Sequence, residues 1–73
     1  MRSEAATAAT AEQLELLVQR RLQGRVHDLR LLVGERGLIL QGHAPTYYAK
    51  QLAQHAAMQV TGLPILANEI EVR

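Results

Sequence analysis

The 73-residue sequence contains no cysteine, and this absence excludes several classes of protein at once. Without thiols there is no disulfide framework, no cysteine-ligated zinc site, no iron–sulfur cluster and no thiol catalysis. Phenylalanine and tryptophan are also absent, so Tyr47 and Tyr48 are the only aromatic residues. The core of this small chain must therefore be aliphatic, and no cross-link adds to its stability.

An excess of charge of one sign is also missing. Eight Lys and Arg residues are nearly balanced by seven Asp and Glu residues, which leaves a formal net charge of +1. Nucleic-acid-binding domains usually have a clear basic excess, so no nucleic-acid partner is expected. No apolar run approaches the ~18 residues of a transmembrane helix. No secretory signal is visible in the first twenty residues.

The spacing of apolar residues predicts a first helix that begins at Thr10. Residues 1–9 have no amphipathic period and are predicted to be a disordered tail, although their alanines leave open an extension of the helix. Thr10 and Gln13 match the reciprocal capping pattern, and Gly24 is a good stop. The predicted inner face consists of Leu14, Leu17, Val18 and Leu22.

After Val26 the apolar period changes to two, which indicates strands. A turn at residues 34–37 separates two of them, and a third runs from Ile65 to the end of the chain. The turn reads GxxG, like the RNA clamp of KH domains, but that clamp joins two helices rather than two strands. The predicted inward positions are Leu29, Leu31, Val33, Leu38, Leu40, Leu66, Ile70 and Val72. The predicted outward positions are Arg30, Leu32, Ile39, Gln41, Ile65, Ala67, Glu69 and Glu71.

A second helix lies between the last two strands. Thr46 is predicted to cap it, Gly62 ends it, and Tyr48 is predicted to turn toward the core. Its predicted apolar face consists of Ala49, Leu52, Ala53, Ala56 and Val60. Residues 10–73 are thus predicted to form a single α+β domain of order αββαβ. It is a two-layer sandwich with two helices on one face of a three-stranded mixed sheet.

Three short motifs follow one another at fixed spacing in the second half of the chain. Residues 38–42 read Leu-Ile-Leu-Gln-Gly, residues 60–63 read Val-Thr-Gly-Leu, and residues 66–72 read Leu-Ala-Asn-Glu-Ile-Glu-Val. In this combination the sequence resembles the BON domain family, first noted in bacterial osmotic-shock and nodulation proteins. The match covers roughly residues 14–73. It departs from the family at residues 35–36, where Glu-Arg stands in place of the usual Asn-Gly or Asp-Gly.

The resemblance implies a small binding module without catalytic residues or cofactors. BON domains are thought to attach to phospholipid surfaces or to serve as interaction modules of envelope proteins. The positions that carry over, Gly42, Gly62 and Asn68, are implied to have structural roles. Family members usually carry an export signal and often occur as tandem repeats. The expected location is therefore cytoplasmic for a complete chain, and periplasmic or envelope for a fragment of an exported member.

Two surfaces are candidates for this binding. Tyr47 and Lys50 near the start of the second helix suit the headgroup zone of a lipid surface. The uncovered sheet face suits a protein partner or weak self-association, because Leu32, Ile39 and Ile65 are predicted to form an apolar patch there. The full predicted partner surface is Arg30, Leu32, Ile39, Gln41 and Ile65.

The remaining polar residues indicate no chemistry. The spacing of His27, His43 and His55 matches no common zinc pattern, so no metal site is predicted. The pairs Asp28 with His27 and His43 with Thr46 contain residue types that occur in catalytic sites. Neither pair is accompanied by a nucleophile or by a third orienting group. The sequence therefore predicts no catalytic, metal-binding or cofactor-binding residue and no enzyme.

Overall fold

Two helices and three strands follow one another along the chain in the predicted order. A computed structural model describes the backbone of residues 2–73 and the side chains of residues 11–73. Its elements are α1 (Arg2–Leu22), β1 (His27–Val33), β2 (Leu38–Ala44), α2 (Tyr47–Thr61) and β3 (Ile65–Val72). The predicted α+β fold class is confirmed.

The sheet has β2 at its centre. β1 pairs with β2 in the antiparallel sense, and β3 pairs with it on the other side in the parallel sense. A parallel pair needs a crossover connection, which α2 provides. Both helices pack on the same face, α1 against β1 and α2 mainly against β3. The core between the layers consists of Val18, Leu22, Val26, Leu29, Leu31, Leu38, Leu40, Ala44, Ala49, Ala53, Ala56, Ala57 and Ile70.

The first helix differs from its prediction in length and in its inner face. Its bounds take in most of the predicted tail at residues 1–9, so a helix start at Thr10 is wrong. The side chains of residues 1–10 lie outside the described part of the chain. Val18 and Leu22 are buried, whereas Leu17 is 46% exposed and its prediction as a core residue is wrong. The buried positions are four residues apart, and Leu17 lies about 100° around the helix from Val18.

The second helix begins and ends as predicted. The Thr46 hydroxyl oxygen accepts a hydrogen bond from the Ala49 N–H at 3.0 Å. Gly62 has a left-handed φ of 70°, and its N–H donates to the Met58 carbonyl at 2.8 Å. Between these residues the buried positions are all alanine, so the helix axis comes close to the sheet.

A β-bulge changes which residues of β3 face the helices. Leu38 pairs with Ile65, but the next residue, Ile39, pairs with Ala67, so Leu66 is an extra residue without a partner. Simple alternation places Leu66 inside and Ile65 outside. Instead, Ile65 packs against the core and Leu66 is 54% exposed. The predicted place of Ile65 on the uncovered face is therefore wrong, because one inserted residue shifts the alternation.

Three further apolar side chains that were predicted to face the core are exposed. Val33 and Val72 are the last residues of β1 and β3, where the sheet ends. Tyr48 lies in the first turn of α2 and is 64% exposed, about as much as Tyr47. Periodicity assigns each of them to the inner face, but the sheet and the helix end too near these positions to bury them.

Candidate functional site

The fold leaves one face of the sheet without a helix, and this surface is called the open face below. The register of the strands arranges its side chains in rows that run across the sheet. The first row is Leu32, Ile39 and Ala67, the second is Arg30, Gln41 and Glu69, and the third includes His43 and Glu71.

The first row is apolar. Leu32 is 45% exposed on β1, and its cross-strand partner Ile39 is half-buried on the central strand. Ala67, which is also predicted to face outward, continues the row on β3, and Ile65 is not part of it. Paired side chains of neighbouring strands lie about 5 Å apart. The row is therefore a continuous apolar strip with its bulk on the β1 side.

The second row separates two opposite charges. Gln41 Nε2 donates a hydrogen bond to Glu69 Oε1 at 3.1 Å, which holds that carboxylate on the β3 side. Arg30 lies at the β1 end of the row and is exposed. Among the described side chains it makes no ion pair. With strands about 4.8 Å apart, the positive and negative ends are separated by roughly 10 Å.

The third row lies beside a second β-bulge. Between His27 and Arg30, β1 has two residues opposite the single Gly42 of β2, and one of them, Asp28, has a φ of 56°. A Cβ on Gly42 would lie 2.9 Å from the carbonyl oxygen of His27. Gly42 thus lets the two backbones approach, in keeping with the structural role implied by the family resemblance.

His43 lies between two carboxylates in this row. Its Nδ1 is 3.7 Å from Asp28 Oδ2, and its Nε2 is 3.5 Å from Glu71 Oε1. Glu71 Oε1 also lies 3.0 Å from Nη2 of Arg73. Among the described side chains, no group of three His, Asp or Glu residues is arranged to hold a metal ion. His55 lies apart on α2.

A polar groove of about 480 Å³ lies along α2 beside β3. It brings together Tyr47 and Lys50, the two residues proposed from the sequence to face lipid. Tyr47 is 63% exposed, and the adjacent Tyr48 does not line the groove. The complete lining is Tyr47, Lys50, Gln51, Gln54, His55 and Asn68.

Asn68 connects this groove to the sheet. Its Nδ2 donates to the Lys50 carbonyl and to Gln54 Oε1, both at 3.2 Å, and its Oδ1 accepts from the Ile70 N–H at 3.2 Å. These bonds join β3 to α2 and fit the structural role that the resemblance implies. The two partners on α2 lie 14 and 18 residues away, and no local sequence pattern indicates them.

Both outer strands have backbone groups engaged by side chains. On β1 the Leu31 N–H donates to Glu15 Oε2 of α1 at 3.0 Å. On β3 the Ile70 N–H donates to Asn68. Edge strands associate through free N–H and C=O groups, and side chains that occupy these groups oppose such pairing. One N–H group of each outer strand is thus unavailable for pairing with another strand.

Comparison with known proteins adds nothing to this geometry. No family model, curated protein or solved structure matches the chain. Neither helix of the described chain is long and apolar enough to cross a membrane.

Proposed function

We propose that this chain is a non-catalytic binding module of the BON type that contacts a protein partner through its open face. The observation that carries the proposal is the exposure of Leu32 at the end of an apolar row. A fully buried Leu side chain gains about 2 kcal/mol, and Leu32 forgoes roughly half of that in the isolated domain. A partner that covers the row recovers it.

The polar surroundings of the row support the same proposal. Interfaces of soluble proteins commonly have an apolar centre and a polar, hydrogen-bonding rim. Here Arg30, Gln41 and Glu69 supply such a rim on one side of the apolar row. A charged rim next to an apolar strip selects a partner whose charges are opposite to those of the rim. This selectivity is a property of a binding surface rather than of a core.

Site-specific photo-crosslinking in the native cell tests this proposal. A photoreactive amino acid at position 32 is expected to form adducts with protein, and Ile39→Asp on the neighbouring strand is expected to abolish them. The matched control is position 16 on α1, since Leu16 is also an exposed Leu but lies on the opposite layer. Equal adducts from positions 16 and 32, or none from position 32, would contradict a role for the open face.

Attachment to phospholipid is a second candidate, favoured by the groove along α2. Tyr47 presents an amphipathic ring beside the ammonium of Lys50, a combination that suits a phosphate headgroup. A single basic residue near an anionic surface contributes only about 1 kcal/mol. Any such attachment by one domain is therefore weak and sensitive to salt.

Vesicle co-sedimentation tests the second candidate. Binding to phosphatidylglycerol vesicles at low salt, without binding to phosphatidylcholine vesicles, is expected to fall with Lys50→Glu and Tyr47→Ser. Tyr48→Ser is the matched control, because Tyr48 is equally exposed and next in sequence but lies outside the groove lining. No sedimentation with phosphatidylglycerol at low salt would exclude attachment by the single domain.

A further inference from the structure

We propose that the occupant of the open face is a second copy of this chain, bound face to face about a two-fold axis parallel to the strands. This inference rests on the proposed function, since it names the partner of the same surface. Two observations support it: the opposite charges at the two ends of the second row, and the unequal sizes of the side chains in the first row.

The second row selects the direction of the axis. Arg30 lies on the β1 side of the open face and Glu69 on the β3 side, with Gln41 between them. A two-fold axis that runs over β2 and parallel to it places β1 of one copy opposite β3 of the other. Each row then faces the same row of the second copy. Arg30 then faces Glu69 of the second copy, and symmetry makes this contact twice.

The other simple face-to-face arrangement is disfavoured by the same residues. A two-fold axis that lies between the two sheets and perpendicular to the strands places β1 of one copy opposite β1 of the other. Arg30 then lies near the other copy's Arg30, and Glu69 lies near its Glu69. Juxtaposed like charges oppose association. The opposite charges at the two ends of the second row therefore fit the axis parallel to the strands and not the perpendicular one.

The first row fits the same arrangement. Leu32 faces Ala67 of the second copy, and Ile39 on the central strand faces its own counterpart. A large side chain opposite a small one allows two sheets to interdigitate at the usual spacing of about 10 Å. In the third row the charge of Glu71 is already compensated within its own chain by Arg73.

The small size of the open face sets the strength of this association. Three strands about 4.8 Å apart with five paired residues of about 3.3 Å each give a flat area of roughly 250 Å². Stable interfaces bury about 800 Å² of each partner. The dimer is therefore weak and forms at high protein concentration, or where copies are held together by another attachment.

Sedimentation equilibrium of the purified chain up to about 1 mM tests the inference. Wild type is expected to shift from monomer toward dimer with concentration. Arg30→Glu and Glu69→Arg are each expected to weaken dimerisation about tenfold, because each turns two attractive contacts into repulsive ones. The double variant Arg30→Glu/Glu69→Arg restores both contacts and is expected to recover wild-type association within about threefold. Far-UV circular dichroism and thermal melts verify that each variant is folded.

Two further variants, together with photo-crosslinking, separate the failure of this inference from the failure of the proposed function. Leu32→Asp is expected to abolish dimerisation, and Leu16→Asp on α1 is its control. If Leu32→Asp leaves an observed dimer intact, the open face is not the contact between copies and the second-copy inference fails. Photo-crosslinking at position 32 then decides the proposed function independently.

The remaining outcomes overturn only the second-copy inference. They are a wild-type chain that stays monomeric up to the highest concentration, charge reversals without effect, or a double variant that fails to recover association. In those cases position 32 remains open to another protein, which photo-crosslinking identifies by an adduct mass that differs from twice the 8.1 kDa chain.

Discussion

Gly37→Ala is expected to destabilise the domain far more than Gly34→Ala or Gly62→Ala. Gly37 ends the hairpin turn and is buried. Its backbone φ of 154° is one that L-residues with a side chain rarely adopt. A Cβ there would lie 2.3 Å from the Pro64 carbonyl oxygen and 3.1 Å from Cγ of Leu66. The same carbonyl accepts a hydrogen bond from the Leu38 N–H at 2.9 Å.

The size of the effect follows from these contacts. Backbone strain at a glycine-only conformation costs about 1–3 kcal/mol. Relief of the clash costs a further 1–3 kcal/mol or so, because the nearest atom is a backbone carbonyl that cannot rotate away. The hydrogen bond to Pro64 adds about 1 kcal/mol if the strands separate. We expect a loss of at least 3 kcal/mol or so, a large part of the roughly 4–11 kcal/mol available to a domain of this length.

Thermal melts followed by circular dichroism measure the effect against two controls. Gly34→Ala lies in the same turn with ordinary contacts at 3.7 Å and is expected to change stability by less than about 1 kcal/mol. Gly62→Ala has a φ of 70° but nothing within 4 Å of its Cβ, so it isolates the backbone strain, about 1 kcal/mol. At roughly 4–8 °C per kcal/mol, Gly37→Ala lowers Tm by more than about 12 °C. A Gly37→Ala protein as stable as Gly62→Ala would refute the argument from close approach.

Substitutions at four other positions test the cap of α2, the hydrogen bonds of Asn68 and the register of β3 by the same melts. Thr46→Ala removes the acceptor for the Ala49 N–H and is expected to cost about 1 kcal/mol, whereas Thr46→Ser is expected to cost little. Asn68→Ala leaves the Ile70 N–H without its acceptor and is expected to cost about 1–3 kcal/mol, with part of the loss recovered in Asn68→Asp. Ile65→Ala is expected to cost about 1–2 kcal/mol and Leu66→Ala less than half of that, since Ile65 is the residue packed on the core. The reverse order of these two would contradict the bulge.

The order of elements and the position of most caps could be predicted because they depend on local physics. The Thr46 hydroxyl reaches a backbone N–H three residues ahead, and Gly62 takes a left-handed conformation that a helix end requires. The burial of Leu38 and Leu40 follows from alternation within one uninterrupted strand. None of these features depends on how distant parts of the chain meet.

The errors occur where distant contacts decide. Ile65 and Leu66 exchanged places because the register of β3 is set by its approach to the Gly37 backbone, 28 residues earlier in the sequence. Periodicity places Leu17 on the inner face because the apolar face of the helix is wider than the part of it that is buried, and Leu17 is 46% exposed. Pairing to a neighbouring strand and the width of a covered face are tertiary properties that a single sequence does not contain.

The same bulge determines the composition of the candidate site. Alternation alone gives the outer strands of the open face two large apolar side chains, Leu32 on β1 and Ile65 on β3, with Ala67 beside Ile65. The bulge removes Ile65 from that face, which leaves Ala67 opposite Ile39. The apolar row then becomes unequal, large on the β1 side and small on the β3 side. In the proposed dimer about an axis parallel to the strands, the small Ala67 side chain leaves room for Leu32 of the second copy, which a larger side chain at that position would not. The bulge that reverses the predicted positions of Ile65 and Leu66 therefore also removes a large side chain from the β3 side of the open face.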